Sequence, residues 1–315
     1  MARFLSTEPV VLNLPIAIEK LPERGSMIPA RSVLSSPGGG YLGMVAVANM
    51  GVTTGMLSML GTGPNSYMIR KDLEENGVQI LTGEVIGDIG VSIQLVEDEG
   101  DNTVIVSAGV ESDLLLDQIE TIEFEDGDVL LVHGSVISGG AAGQRFANWV
   151  SGIDLKVKVV LAPSPMLDSI DPKLWEPLLQ RADVLTMNLR EAGLLPRLLK
   201  ELDPARTLEE YLKPECVQVT RMGSLGCQYR DGVAGELKQV PAYATRSVDT
   251  SGVGNVHIAV MCGALARGQD MHAALLMANA AGAVMVSHAY AFPVPTMREI
   301  ADVMTFAGED GGESL

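Results

Sequence analysis

From Asp128 to Arg230 the chain alternates between two kinds of segment, and this alternation limits its fold more than any other feature. DVLLVHGSV, KVKVVLAPSP and ADVLTMN are short apolar runs rich in β-branched residues, so each reads as a buried strand. AAGQRFANWVSG and PKLWEPLLQR lie between them and read as helices, as do LREAGLLPRLLKEL and TLEEYLK further on. CVQVTRMGSLGCQYR closes the series as strand, turn and strand. Strands separated by helices pair in parallel through right-handed crossovers. The expectation is therefore an α/β chain with a mostly parallel central sheet. Ligands of such sheets sit at the carboxyl ends of the strands, where His133, Gly134, Asn188 and Thr220 fall.

The N-terminal half adds strands, helices and a hairpin. VVLNLPIAI (Val10 to Ile18) reads as the first buried strand and its exit, and LPERG as the turn after it. The triplet Gly38-Gly39-Gly40 precedes a helix predicted from Tyr41 to Met50. That helix is apolar on most faces, so it must be buried. TTGMLSMLGTG reads as a strand and glycine-rich turn, and PNSYMIRKDLEENGV as an amphipathic helix from Pro64 to about Gly77. VQIL is a short strand. Between Glu84 and Val110, GVSIQLV and NTVIVSAGV flank the acidic turn EDEGDN, a hairpin pattern that suits either a small lid or an edge of the main sheet.

Composition bears on what such a chain binds. Its 315 residues, 47% of them hydrophobic, suit one large domain with an aliphatic core, since aromatics are only 4%. A net charge of −18 disfavours nucleic acid and anionic membrane, while leaving room for a local basic pocket. No apolar run reaches the roughly 18 residues of a membrane helix. MARFLSTEP turns polar too soon for a secretory signal. Three cysteines without metal spacing point to reduced thiols and a cytoplasmic setting.

Three stretches carry candidate chemistry. In Val248-Asp249-Thr250-Ser251-Gly252-Val253-Gly254-Asn255, two glycines meet the start of an apolar helix, Val256 to Leu265. Backbone N–H groups at such a corner face an anion closely, and phosphate is the natural ligand. Asn188-Leu189-Arg190-Glu191 follows a strand end, where Asn and Glu three apart serve either as a helix cap or as partners of hydrated Mg²⁺ or phosphate. Thr220-Arg221-Met222-Gly223-Ser224-Leu225-Gly226 reads on its residues as a tight hairpin with glycines for turn geometry. His257 reads as a surface or capping residue of the first helical turn.

DTSGVGN resembles the Asp-Thr-x-Gly-Ala-Gly-Asp signature of the ribokinase, or PfkB, family of sugar and nucleoside kinases. NLRE matches the Asn-x-x-Glu motif of that family, and TRMGSLG is similar to its nucleotide turn. The resemblance implies a ribokinase-like three-layer α/β sandwich with a mostly parallel central sheet and a small β lid. It implies one domain over residues 1–307, a lid drawn from about 25–36 and 84–110, and a flexible tail at 308–315. It also implies transfer of the γ-phosphate of ATP, with Mg²⁺, to a hydroxyl of a sugar or nucleoside, and a homodimer through the lid. Gly252, Val253 and Gly254 become the anion hole. Asn188, Glu191, Thr220, Arg221, Gly223, Gly226 and Ala280 become the nucleotide site, with Glu191 reaching Mg²⁺ through water. Asn13, Gly39, Gly40 and Leu42 take the substrate positions.

The departures from the pattern cluster. The family's base is an aspartate where this chain has Asn255, and a carboxamide is not a base at neutral pH. Asn13, Met27, Leu42 and Ser66-Tyr67 stand where polar or acidic family residues are expected. An active enzyme then needs an acid from elsewhere, unless position 255 carries a substitution. The second reading is a pseudokinase that binds nucleotide or metabolite as a regulator. A dinucleotide-binding oxidoreductase fits less well, since no GxGxxG opens the first helix.

Overall fold

The computed structural model describes residues 2–97, 102–137, 139–288 and 292–310. Its strands are β1 (Phe4–Ser6), β2 (Val10–Ile18), β3 (Ser32–Val33), β4 (Ser36–Gly39), β5 (Thr54–Met56), β6 (Val78–Ile80) and β7 (Val91–Glu97). They continue with β8 (Asn102–Ser107), β9 (Val129–His133), β10 (Lys158–Ala162), β11 (Val184–Asn188), β12 (Val217–Arg221), β13 (Cys227–Arg230) and β14 (Leu237–Val240). The helices are α1 (Gly40–Asn49), α2 (Pro64–Glu75), α3 (Leu116–Ile119), α4 (Gly140–Ser151), α5 (Trp175–Arg181), α6 (Leu189–Leu202), α7 (Val253–Ala266), α8 (Met271–Val286) and α9 (Met297–Asp310).

The main sheet runs β14-β13-β12-β11-β10-β9-β1-β5-β6. It is parallel from β12 to β6, and β13 and β14 add an antiparallel edge. Alternate residues of its strands enter two cores. Phe4, Val129, Leu131 and Val160 pack with α1, α2, α7 and α8. Leu5, Leu130, Val132 and Val159 pack with α4, α5 and α6 on the other face. Period-two alternation in strands covered on both sides thus builds three layers. The chain leaves β1 toward β5 and β6, and later returns on the other side at β9. The edge between β1 and β9 is therefore the switch point at which ligands gather in such sheets.

Two expectations are corrected. VVLNLPIAI does not enter the main sheet; the first core strand is Phe4–Ser6, and β2 pairs with β3, β4 and β7 in a second sheet completed by β8. An apolar run does not declare which sheet it joins, so β2's burial looked like a core signal. TLEEYLK yields only a 3₁₀ turn at Leu208–Tyr211. α9 runs to Asp310, into the stretch 308–315 expected as a tail, and residues 311–315 lie outside the described residues. Most of the EDEGDN turn, 98–101, also lies outside them. Among the described residues no helix is long and apolar enough to cross a membrane.

Candidate functional site

Two helix starts meet above the carboxyl ends of β1 and β9. α1 begins after Gly39, at φ 62°, and α7 after Gly252, at φ 71°. Both are left-handed conformations that glycine adopts without a Cβ penalty. The helices cross at close range through reciprocal glycines. A Cβ on Gly43 of α1 would stand 2.6 Å from Ala259 Cβ, and one on Gly263 of α7 would stand 2.8 Å from Val47 Cγ1. This crossing holds the first turn of α7 beside the first turn of α1. The N–H groups of Gly254 and Asn255 in that turn have no intrahelical acceptor.

A pocket of about 170 Å³ opens between these helix starts and the second sheet. Gly39, Leu42, Ser251, Gly252 and Asn255 form one wall. Asn13, Pro15, Ser36 and Gln94 form the other. The second wall is built by register: Asn13 pairs with Ser36 across β2 and β4, and Pro15 with Gln94 across β2 and β7. Side chains directly opposite on paired strands share a face, so the sheet presents two amides and a hydroxyl together.

Behind Asn255 lies a buried polar cluster. Asn255 Nδ2 donates to Glu8 Oε1, and Glu8, two residues past β1, is only 3% exposed. Burial pushes the Glu8 carboxyl up to about 7, against the Asn255 hydrogen bond and the charge of Arg221. His133 Nε2 lies 3.9 Å from Glu8 Oε1. Its Nδ1 accepts from Ser135 N and contacts Ser135 Oγ at 2.6 Å, which leaves the ring hydrogen on Nε2, facing Glu8. Burial, then the nearby Arg221, lowers His133 to about 4, so at neutral pH this contact is not an ion pair.

Arg221, at the end of β12, donates to Glu191 Oε2 at 3.2 Å. Burial lowers its pKa while Glu191 and Glu8 oppose that shift, and a guanidinium stays charged throughout the range in which proteins fold. Its Nη1 faces the backbone of Gly254 closely enough to lie 3.1 Å from an added Cβ there. Glu191 Oε2 also accepts from Asn188 N at 2.8 Å, and Asn188 Oδ1 accepts from Glu191 N at 2.8 Å, a reciprocal capping box that starts α6.

The structure thus gathers Asn13, Gly39, Leu42, Gly252 and Asn255 around one pocket, and Gly40 directly beneath it, where its Cα faces the Glu8 carbonyl. Val253 and Gly254 continue the α7 turn. Asn188, Glu191 and Arg221 form one linked group beside that turn, Thr220 lies within β12, and Gly223 and Gly226 lie in the adjoining β12–β13 connection. Ala280 is not brought among them: it is fully buried in the core packing of α8. Met27 is 95% exposed, and Ser66 instead bonds Asp88 at the start of α2. The reading of His257 as a surface or capping residue is corrected: α7 packs on α8 there, and buried His257 Nε2 meets Asn279 Oδ1 at 3.0 Å. Glu8, Pro15, Ser36 and Gln94 were missed. Glu8 carried no visible signal, since Ser6 and Thr7 separate it from the apolar pair Phe4-Leu5.

Residues 13–297 match the model described as pfkB family carbohydrate kinase. A ribokinase of Bacillus subtilis is 27% identical over 304 residues, covering 93% of this chain and 96% of that one. An ATP-dependent ribose-1-phosphate kinase of Halopiger xanaduensis is 26% identical over 307 residues, covering 96% and 97%. Among solved structures, a ribokinase from Thermotoga maritima superposes with a TM-score of 0.79 at 19% identity, over 97% of this chain and 100% of that one. A nucleoside kinase from Methanocaldococcus jannaschii also gives 0.79, at 15% identity, over 97% and 99%.

Proposed function

The chain belongs to the pfkB family of carbohydrate kinases, and from that premise we propose that it transfers the γ-phosphate of ATP to a hydroxyl of a small sugar or nucleoside. The observation that carries this reading is the pocket, with Asn13, Ser36 and Gln94 on one wall and the first turn of α7 on the other. Amides and a hydroxyl suit a polyol, since they both donate and accept. The facing turn offers unpaired N–H groups and the positive end of a helix to the incoming phosphoryl group. Relatives that act as a ribokinase and as an ATP-dependent ribose-1-phosphate kinase support the same substrate class.

Phosphoryl transfer is largely positioning and charge stabilisation. Gly252, Val253 and Gly254 hold the anion, and Arg221 faces the same turn from below. Thr220, Gly223 and Gly226 border the nucleotide. Mg²⁺ would neutralise the phosphates when ATP binds. Among the described residues no group of three or more His, Cys, Asp or Glu is placed to hold a metal. Glu191 is already engaged by Asn188 and Arg221. Glu191 would hold a Mg²⁺ ion brought by ATP through a bound water, and the ion would supply charge neutralisation on the phosphates. The cytoplasm is the setting that supplies both.

Asn255 is the observation that favours the second reading, a pseudokinase with regulatory use of bound nucleotide. An ADP-release assay with Mg-ATP over a panel of pentoses, hexoses and nucleosides separates the two. Substrate-dependent ADP release is the expected result. ATP binding without release across the panel would select the pseudokinase.

A further inference from the structure

We propose that Glu8 is the proton acceptor of this site, its carboxylate supplying the basicity that the carboxamide of Asn255 lacks. The inference rests on the phosphotransfer reading above. It starts from placement. Glu8 lies at the switch point of the main sheet, directly behind the Gly39-Gly40 turn: a Cβ on Gly40 would stand 2.7 Å from its carbonyl oxygen and 3.0 Å from its own Cβ. Its N–H is held by Ser6 Oγ at 3.1 Å. Asn255 links its carboxylate to the pocket: it lines the pocket and donates to Oε1.

The bond to Asn255 orients both groups. A carboxylate only accepts, so Asn255 presents its N–H₂ to Glu8 and turns its own carbonyl oxygen elsewhere. The helix position thus carries the amide and the strand position the acid, an exchange of the two functions across a single hydrogen bond. The charged and titratable groups around Glu8 agree with a base. Arg221 of β12 lowers its pKa, the neutral His133 of β9 turns its ring N–H toward it, and buried Cys262 of α7 stays protonated. Glu191 of α6 is paired with Arg221. A carboxyl poised at about 7 is matched to proton acceptance at neutral pH.

In the transfer step, the acceptor O–H gives its proton to a Glu8 oxygen through one water beside the Asn255 amide. The acceptor oxygen forms a bond to the γ-phosphorus of ATP. The bond from that phosphorus to the β-γ bridging oxygen breaks, and ADP leaves with its electron pair. Glu8 returns the proton to water when product departs.

The test compares the full chain with Glu8→Gln, Asn255→Asp and the double variant Glu8→Gln/Asn255→Asp in phosphotransfer with Mg-ATP and the panel of sugars and nucleosides. Each substitution preserves shape, and the side-chain amide oxygen introduced by Glu8→Gln still accepts from Asn255. A loss in Glu8→Gln is therefore not a loss of the hydrogen bond. Melting temperatures check folding, and the double variant, which moves the carboxylate to position 255, decides the matter if Glu8→Gln is unstable. The full chain is expected to turn over with kcat/KM rising through a limb near pH 7. Glu8→Gln should fall by about 10²–10⁴-fold and lose that limb, and the double variant should recover. A Glu8→Gln protein matching the full chain in rate and pH profile overturns the proposal. A silent full chain beside an active Asn255→Asp overturns it too, but leaves the kinase reading standing. Silence from all four proteins overturns both.

Discussion

At the scale of single residues, this site is set by which polar groups are buried together. His133 and His257 are both held near 4 by burial, well under their ordinary 6.5. The unfolded chain binds protons at these positions between 6.5 and 4, and the folded chain does not. Their contribution to stability is therefore whole above 6.5 and lost as pH falls toward 4. Glu8 has the opposite sign: its raised carboxyl favours the folded state at low pH, and this is lost as pH rises through about 7. Melting temperature measured against pH should drop on the acid side, and His257→Gln should flatten that drop; an unchanged acid limb would refute the assignment. Asn279 donates to the Val240 and Pro241 carbonyls, so its oxygen must face His257, which explains why an imidazole is tolerated there. None of this could be seen in the sequence, where His257 is one polar letter at a helix start. Glu8 was hidden for the same reason: a lone acid has no spacing pattern, and its partner is 247 positions away.

At the scale of elements, the α1–α7 crossing carries the geometry of the pocket. Gly43 lies against Ala259 and 2.9 Å, as an added Cβ, from Asn255 O. Gly43→Val should cost about 1–3 kcal/mol of stability by overpacking and weaken substrate use by pushing the Asn255 turn away from the pocket. Denaturant unfolding and KM for the preferred acceptor measure the two effects. Asn188→Ala removes the cap of α6 and should cost about 0.5–2 kcal/mol; a cost near zero would mean that the Asn188–Glu191 box does not hold the helix. The elements were more legible than the residues. Strand–helix alternation from Asp128 onward pointed to the parallel sheet, and glycines before apolar helices marked the two corners. The pocket wall of Asn13, Pro15, Ser36 and Gln94 was less legible, because it depends on the register of β2 against β4 and β7. Local periodicity fixes which face a residue takes, but not its cross-strand partner.

At the scale of the whole molecule, the second sheet covers the pocket and ends in an open edge. β8 leaves Val104, Ile105 and Val106 half or more exposed at the end of the sheet order, where one row of backbone groups faces away from β7. Such an apolar edge is a template for pairing. We expect a second copy of this chain to cover it, so sedimentation should report a dimer and Ile105→Lys a monomer; an unaltered mass would refute that surface. Above all, phosphate is held to leave ATP for a hydroxyl bound in this pocket. The decisive experiment follows γ-labelled phosphate from Mg-ATP into product, with the chain and its Arg221→Met variant supplied with sugars and nucleosides. Label is predicted on one class of hydroxylated acceptor, and is lost in the variant. Label that stays on ATP, or appears only as free phosphate whichever acceptor is present, would contradict transfer in this pocket.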